Sequence, residues 1–433
     1  MSNIFKYLIF LILLNNCSLD TKSRIWTDKK EVKKEKSNET KLFIKKKPLS
    51  KQFNSQLKVK LTSRLTDNSL ANYSSNNNGR VNYDGELKKT SKFKFSKIKN
   101  FDYYEPELIF ESDNLIFFNS KGSIIKFNSE SNITWKKNYY NKLEKKLKPV
   151  LTLGKDSKTL IVADNISKYY ALNLNDGSLL WSKYNSSPFN SQIKILKDKF
   201  FIIDFNNILR CISIKDGVEF WSIKTGNAFI KSQKKLSIIV VNNVVYFNNS
   251  TGDITAVDIN TGIMLWQVPT QTSTIYENTF LLETSNIVAN NKMIVFSNNK
   301  NEFYSIDLKT GYIKWKININ SSVQPTIIDD LIFTISNEGY LTIIDSKDGN
   351  IIKVTDIFSL FKENKRNKIN PVGFLVAKKN IYLTTDHGRL LVIDIESGQT
   401  KSIIKIANNK ISRPFILNKN LFLVKDNSII KLD

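Results

Sequence analysis

The chain has 433 residues, 24% charged and 41% hydrophobic, with 65 Lys and Arg against 40 Asp and Glu, a formal charge of +25. Two Cys exclude a disulfide-dense scaffold, and a single histidine, His387, excludes a histidine-rich metal site and argues against a His-based triad. No apolar run reaches the roughly 18 residues of a membrane-spanning helix. Only seven basic residues are Arg, and Asn and Ile are abundant. The charge therefore reads as compositional bias more than as a nucleic-acid footprint, where Arg would be expected. Residues 18–100 hold 22 basic and 8 acidic residues, so over half of the excess lies in the first quarter of the chain. That stretch is either a solvated tail or one drawn to anionic surfaces.

In chain order, a basic start (residues 1–6) precedes eight apolar residues (7–14, YLIFLILL) and an abrupt polar stop, Asn15-Asn16. The pattern is a secretory signal over residues 1–16. With Cys17 next, it resembles a bacterial lipoprotein signal. The resemblance implies cleavage before Cys17 and acylation of that residue, with each buried methylene contributing about 0.8 kcal/mol of anchoring. Ser18 lacks the Asp that favours inner-membrane retention, which implies the outer membrane. An ordinary secretory peptide with an incidental Cys is the alternative.

Residues 17–90, rich in Lys, Asn and Ser, read as a flexible linker with too little apolar surface to offset its ordering entropy. Its r.m.s. reach is about 50 Å. Two pieces, residues 41–44 and 56–61, alternate like strands and are expected to order on a partner.

From about residue 101 the chain repeats itself. Ala256-Val257-Asp258 leads to Thr261-Gly262 and Trp266; Ala171-Leu172-Asn173 leads to Asp176-Gly177 and Trp181. Equivalent units close on Gly217 and Trp221, on Gly311 and Trp315, on Gly349 with Lys353 in the Trp place, and on Gly398 without Trp. An early copy runs through Asn132, in the Gly place, to Trp135. A strand ending in Asp or Asn can bond turn N–H groups, and the Gly supplies positive φ for a tight hairpin. Anchors at 132, 177, 217, 262, 311, 349 and 398 are spaced by 38 to 49 residues. A period of 40–50 with four strands per unit predicts an all-β, eight-bladed propeller over 91–433. The eighth blade stops after its third strand at Asp433, so residues 92–98 are expected to close the ring as its fourth.

The repeat resembles the PQQ-like, quinoprotein-type propeller repeat. That resemblance implies that Trp135, Trp181, Trp221, Trp266 and Trp315 dock each blade against the next. Quinone-dependent dehydrogenases share the repeat, but no Cys-Cys pair is present and no carboxylate stands out as a base, so neither an enzyme nor a cofactor is expected. A lipid-anchored eight-bladed propeller is similar to the BamB family of outer-membrane protein assembly lipoproteins. The resemblance implies a non-enzymatic scaffold at the periplasmic face of the outer membrane. Its implied partners are the β-barrel insertase and nascent outer-membrane proteins. It places docking on the loop after Trp266, with Ile275, Phe280, Leu281 and Glu283, and on the loop after Trp315, with Asn320 and Ser322. The apolar cluster of Phe358, Leu360 and Phe361 beside Lys362, Lys365, Arg366 and Lys368 is a further candidate surface. A periplasmic module binding a wall polymer or other ligand remains the alternative, with a polar funnel bearing exposed aromatics as its expected mark.

Overall fold

The computed structural model describes residues 51–433, apart from 72, 100, 227–233 and 271–282. The chain divides into two units, 1–45 and 46–433; the first lies outside the described residues, and the second holds the β-sheets.

Hairpins dictated by the repeat build eight four-stranded antiparallel units, and in blade 7 the sheet is extended to six strands by Leu65–Thr66 and Arg80–Val81, which pair in parallel. Blades 1 to 7 span residues 109–137, 151–184, 194–224, 238–268, 288–317, 326–356 and 371–405. Blade 8 joins Phe415–Leu417, Asn420–Val424 and Ser428–Leu432 to Lys89–Lys94, which pairs antiparallel with the last of these. The ring is thus closed by strands from both parts of the chain, and the closing strand begins three residues before the expected 92. In each blade the two middle strands, such as Val244–Asn248 and Ile254–Asp258, are rich in β-branched and aromatic residues and almost wholly buried. The fourth strands, such as Met264–Val268, form the rim and are largely exposed, except in blade 6, where Ile351–Asp356 is half-buried to buried. Connections between blades lie on one face, termed upper. The Asp/Asn–Gly turns lie on the lower face.

Those turns explain how blades join. Asp258 Oδ1 accepts from the N–H groups of Asn260 and Thr261, and Gly262 follows at φ +73°. A Cβ at Gly262 would fall 2.8 Å from the Trp221 ring of the preceding blade. Gly177, Gly217, Gly311 and Gly349 meet Trp135, Trp181, Trp266 and Trp315 in the same way. Trp181, Trp221 and Trp315 donate their Nε1–H to Ile214, Ile259 and Ser346 carbonyls, each three residues before the neighbouring Gly. Trp135 lacks that bond, because Lys126 Nζ takes the equivalent carbonyl of Leu174 at 3.1 Å. In blade 1 the left-handed residue is Ser131 (φ +70°), not Asn132, since the turn is one residue shorter. Opposite Trp221 stands Cys211, fully buried, its thiol pushed up to about 12 by desolvation.

Three of the eight seams have no Trp, and at two of them the linker expectation needs correction, because described residues between 51 and 88 are built into the ring. Lys353 occupies the Trp place in blade 6 and donates to Leu57 and Glu396 carbonyls. Phe53 pairs antiparallel with Val354, and Val59 is buried in the core shared by blades 6 and 7. Between blades 7 and 8, Val81 and Tyr83 fill the core; the Tyr83 ring lies 5.1 Å from that of Tyr382, and its hydroxyl donates to Asp433 O. Residues 56–61, expected to order on a partner, lie against this chain's own blades 6 and 7. Residues 41–44 lie outside the described residues. Scattered single anchors replace a periodic apolar face, and such anchors have no sequence signature.

Substituting Gly262→Ala forces a left-handed alanine against Trp221 and is expected to destabilise by about 2–3 kcal/mol; Trp221→Ala should cost about 3–5 kcal/mol. Because the two groups touch, the double variant should lose less than the sum, as read from the three thermal unfolding midpoints.

Candidate functional site

The axis of the ring is closed by the chain itself. From the lower face, Ser69 bonds both backbone groups of Ile416 in blade 8, its N–H to the carbonyl and its Oγ to the N–H. The chain then turns through Tyr73–Ser75, and it leaves where Arg80 donates to Ala377 and Lys378 carbonyls in blade 7. The tip reaches the upper ends of the inner strands. Asn76 Nδ2 donates to Gln192 Oε1, Ser237 Oγ and the carbonyls of Ile238 and Ile287, at 2.9–3.3 Å. Asn77 gives and receives one bond with Ile327, both 3.1 Å. Short polar side chains suit this role, because each can satisfy strand-end groups that point into the channel.

Lys194 fixes the tip. It is 0% exposed, and its Nζ donates to Tyr73 O and Asn76 Oδ1, both at 2.6 Å, while lying 3.4 Å from the Tyr73 ring centroid. Burial pushes its pKa down to about 7, against the opposing pull of Glu107. Burial would raise Glu107, but Lys194, Arg413 and Lys235 outweigh it and hold the carboxyl below its usual range. Glu107 also accepts from Tyr73 Oη and Gln192 Nε2 at 2.9 Å each.

Above the plug the channel opens into a funnel of about 660 Å³ on the upper face, lined by residues of blades 2, 3 and 7 and of the connections that join the blades. Tyr103, 79% exposed, stands at the mouth, and half-buried Phe205 and buried Phe189 line the wall. Three lysines reach across it to other blades. Lys234 donates to Ser322 O at 2.8 Å, Lys235 to Thr152 Oγ1 at 2.5 Å and Lys410 to Asp102 O at 2.9 Å. Desolvation brings Lys235 down to about 8 and also lowers Lys410. The acidic groups Asp102, Glu105, Glu283 and Asp386 share the lining, so the funnel carries both signs.

Of the residues named from sequence, Cys17, Ile275, Phe280 and Leu281 lie outside the described residues. Glu283 follows them on the upper face, where its backbone pairs with Asn299 and it lines the funnel. Asn320 and Ser322, one blade on, bond to the hairpin turn of blade 6 between Leu331–Ile335 and Tyr340–Asp345. Asn320 Nδ2 donates to Glu338 Oε1 at 2.7 Å, and Ser322 Oγ to Asn337 Oδ1 at 2.9 Å. Glu338 thus supplies a carboxylate at the second loop, and its place in a different hairpin hid it from sequence reading. Phe358 is fully buried and Phe361 packs on the same core, leaving Leu360 (59% exposed) as the one apolar member of that cluster at the surface. Its use as an extended apolar surface is therefore corrected. His387 lies in the hairpin turn of blade 7, with Nδ1 2.7 Å from Asp386 Oδ1. Among the described residues no group of three or more His, Cys, Asp or Glu could hold a metal ion.

A family model described as outer membrane protein assembly factor BamB matches residues 109–355. The solved structure of BamB from Moraxella catarrhalis is similar with a TM-score of 0.64 at 16% identity, covering 80% of this chain and 99% of that one. The quinohemoprotein alcohol dehydrogenase from Comamonas testosteroni also scores 0.64, at 10% identity, with 85% and 81% covered. The C-terminal WD40 domain of Sif2 scores 0.60 at 11% identity, with 82% and 99% covered. At these identities the solved structures share the fold alone. No curated protein matches the chain.

Lys194 generates a pH test. Its folded pKa, near 7, lies below the unfolded 10.5, so between these values the unfolded chain binds more protons and stability rises with pH. Below pH 7 the lysine is charged in both states and its burial cost is fully expressed. The unfolding midpoint of the wild type should rise from about pH 6 to about pH 9, and that of Lys194→Gln should rise less steeply.

Proposed function

The chain belongs to the family of the outer membrane protein assembly factor BamB, and on that premise we propose that it is a non-enzymatic periplasmic scaffold for the insertion of outer-membrane β-barrel proteins. The observation that carries the reading is the family match across blades 1 to 6. The described residues support that reading with loops on the upper face and buried polar locks on the axis.

In this reading the partner is the periplasmic part of the barrel insertase, and it docks on the upper face at blades 5 and 6. Ile275, Phe280, Leu281 and Glu283 form one contact, and Asn320 and Ser322, backed by the Glu338 carboxylate, form the other. Apolar anchors give such a contact its affinity, and the charged group gives it orientation. Acylated Cys17 tethers the chain to the periplasmic face of the outer membrane, following the signal-like residues 1–16. A second reading, a periplasmic ligand- or wall-binding module, is favoured by one feature, the funnel with Tyr103 exposed at its mouth.

Pull-down from solubilised outer membranes is expected to recover the barrel insertase with the wild type, and roughly tenfold less with the Phe280→Ala/Leu281→Ala double variant. Equal recovery would remove the docking assignment, and no recovery with either would remove the function. Cys17→Ala should move the protein from the membrane to the soluble periplasmic fraction, as read by immunoblot of the two fractions.

A further inference from the structure

We propose that the upper funnel is a receptor for one extended segment of an unfolded polypeptide client. The inference rests on the assembly reading, which supplies the client class, and adds the place where the client is held.

The first support is that the ring already binds a peptide on this axis. Residues 73–77 are held by inner-strand carbonyls and N–H groups of Ile238, Ile287 and Ile327, and by Lys194. Inner strands that converge on an axis leave strand-end groups facing it; here the amide side chains of Asn76 and Asn77 answer them, and the peptide amides of a client carry the same donor and acceptor groups. The second support is the lining. Lysines 234, 235 and 410 stand among Asp102, Glu105 and Asp386, with Tyr103 and Phe205 between them. With Glu283 also in the lining, three lysines face four carboxylates, and a small ion of either sign would meet repelling as well as attracting groups there. A polypeptide with mixed charge and occasional apolar side chains would find a counterpart for each. The third is size and shape. About 660 Å³ lies within the roughly 300–1,000 Å³ of ligand pockets, and the plug beneath makes the funnel blind. A segment therefore enters and leaves by one mouth, on the face that also carries the loops around Glu283 and Ser322. Release then needs no opening of the ring.

The test uses the full chain carrying Tyr103→p-benzoylphenylalanine at the funnel mouth or Tyr312→p-benzoylphenylalanine on the exposed rim of blade 5. The probe is an outer-membrane β-barrel protein unfolded in urea and diluted into the mixture. Photocrosslinking at position 103 should exceed that at 312 by roughly tenfold. Filling the funnel with Val372→Trp, or independently with Asn370→Trp, should cut the crosslink by a similar factor, with the unfolding midpoint recorded for each. Both filled variants should still recover the barrel insertase from outer membranes. Equal crosslinking at the two positions, or crosslinks untouched by both fillings while the insertase is still recovered, would overturn the funnel and leave the scaffold reading standing. Failure of the wild type to recover the insertase would sink the scaffold reading and the proposal with it.

Discussion

A ring of sheets is only as stable as its weakest seam, because eight wedges around an axis must each bury both faces against a neighbour. Five seams here use one device, a tryptophan ring laid over the turn glycine of the next blade. The contact demands a residue without Cβ at positive φ, and in three seams a carbonyl three positions earlier receives the indole N–H. The same few atoms thus set the turn, the register and the blade-to-blade angle. The remaining seams have no such contact and are filled by other means. Residues 53–59 cover the Lys353 gap, Val81 and Tyr83 fill the next, and Phe93 on the closing strand stacks edge-on with Phe127 of blade 1.

The segment that repairs these seams also plugs the channel. Between its two seam contacts it threads the axis, so one continuous stretch closes the ring, seals the floor of the funnel and pins the final residue through Tyr83 and Leu87. Its buried polar network is costly to assemble, since Lys194 and Glu107 must both give up water. The cost is offset because every head group finds a directed partner, and the network specifies where an otherwise nondescript segment must lie.

The two faces consequently differ in chemistry. The lower face is a ring of hydrogen-bonded turns and the path of the plug. The upper face carries the longer connections, the capped helix Lys142–Lys146, the helix Glu363–Arg366 and the funnel. Upper-face loops are free of the turn requirement and are therefore where binding residues can vary without loss of the fold.

Local rules made the blades readable from the chain alone. Strand alternation, Asp–Gly turns and the spacing of Trp residues all act within one repeat or between neighbours, so each leaves a periodic mark, and even the closing strand was foreseeable because an eighth unit lacked its fourth member. The family likeness was legible for the same reason. The fate of residues 51–88 was not. The Asn76 side chain bonds to groups 116 to 211 residues away, and Val59, Val81 and Tyr83 act singly, so no short window of sequence contains both halves of these contacts. The funnel is equally a product of the closed ring. Its lysines, acids and aromatics are scattered over the whole propeller, and they become one cavity only because eight wedges bring their upper ends to a common axis.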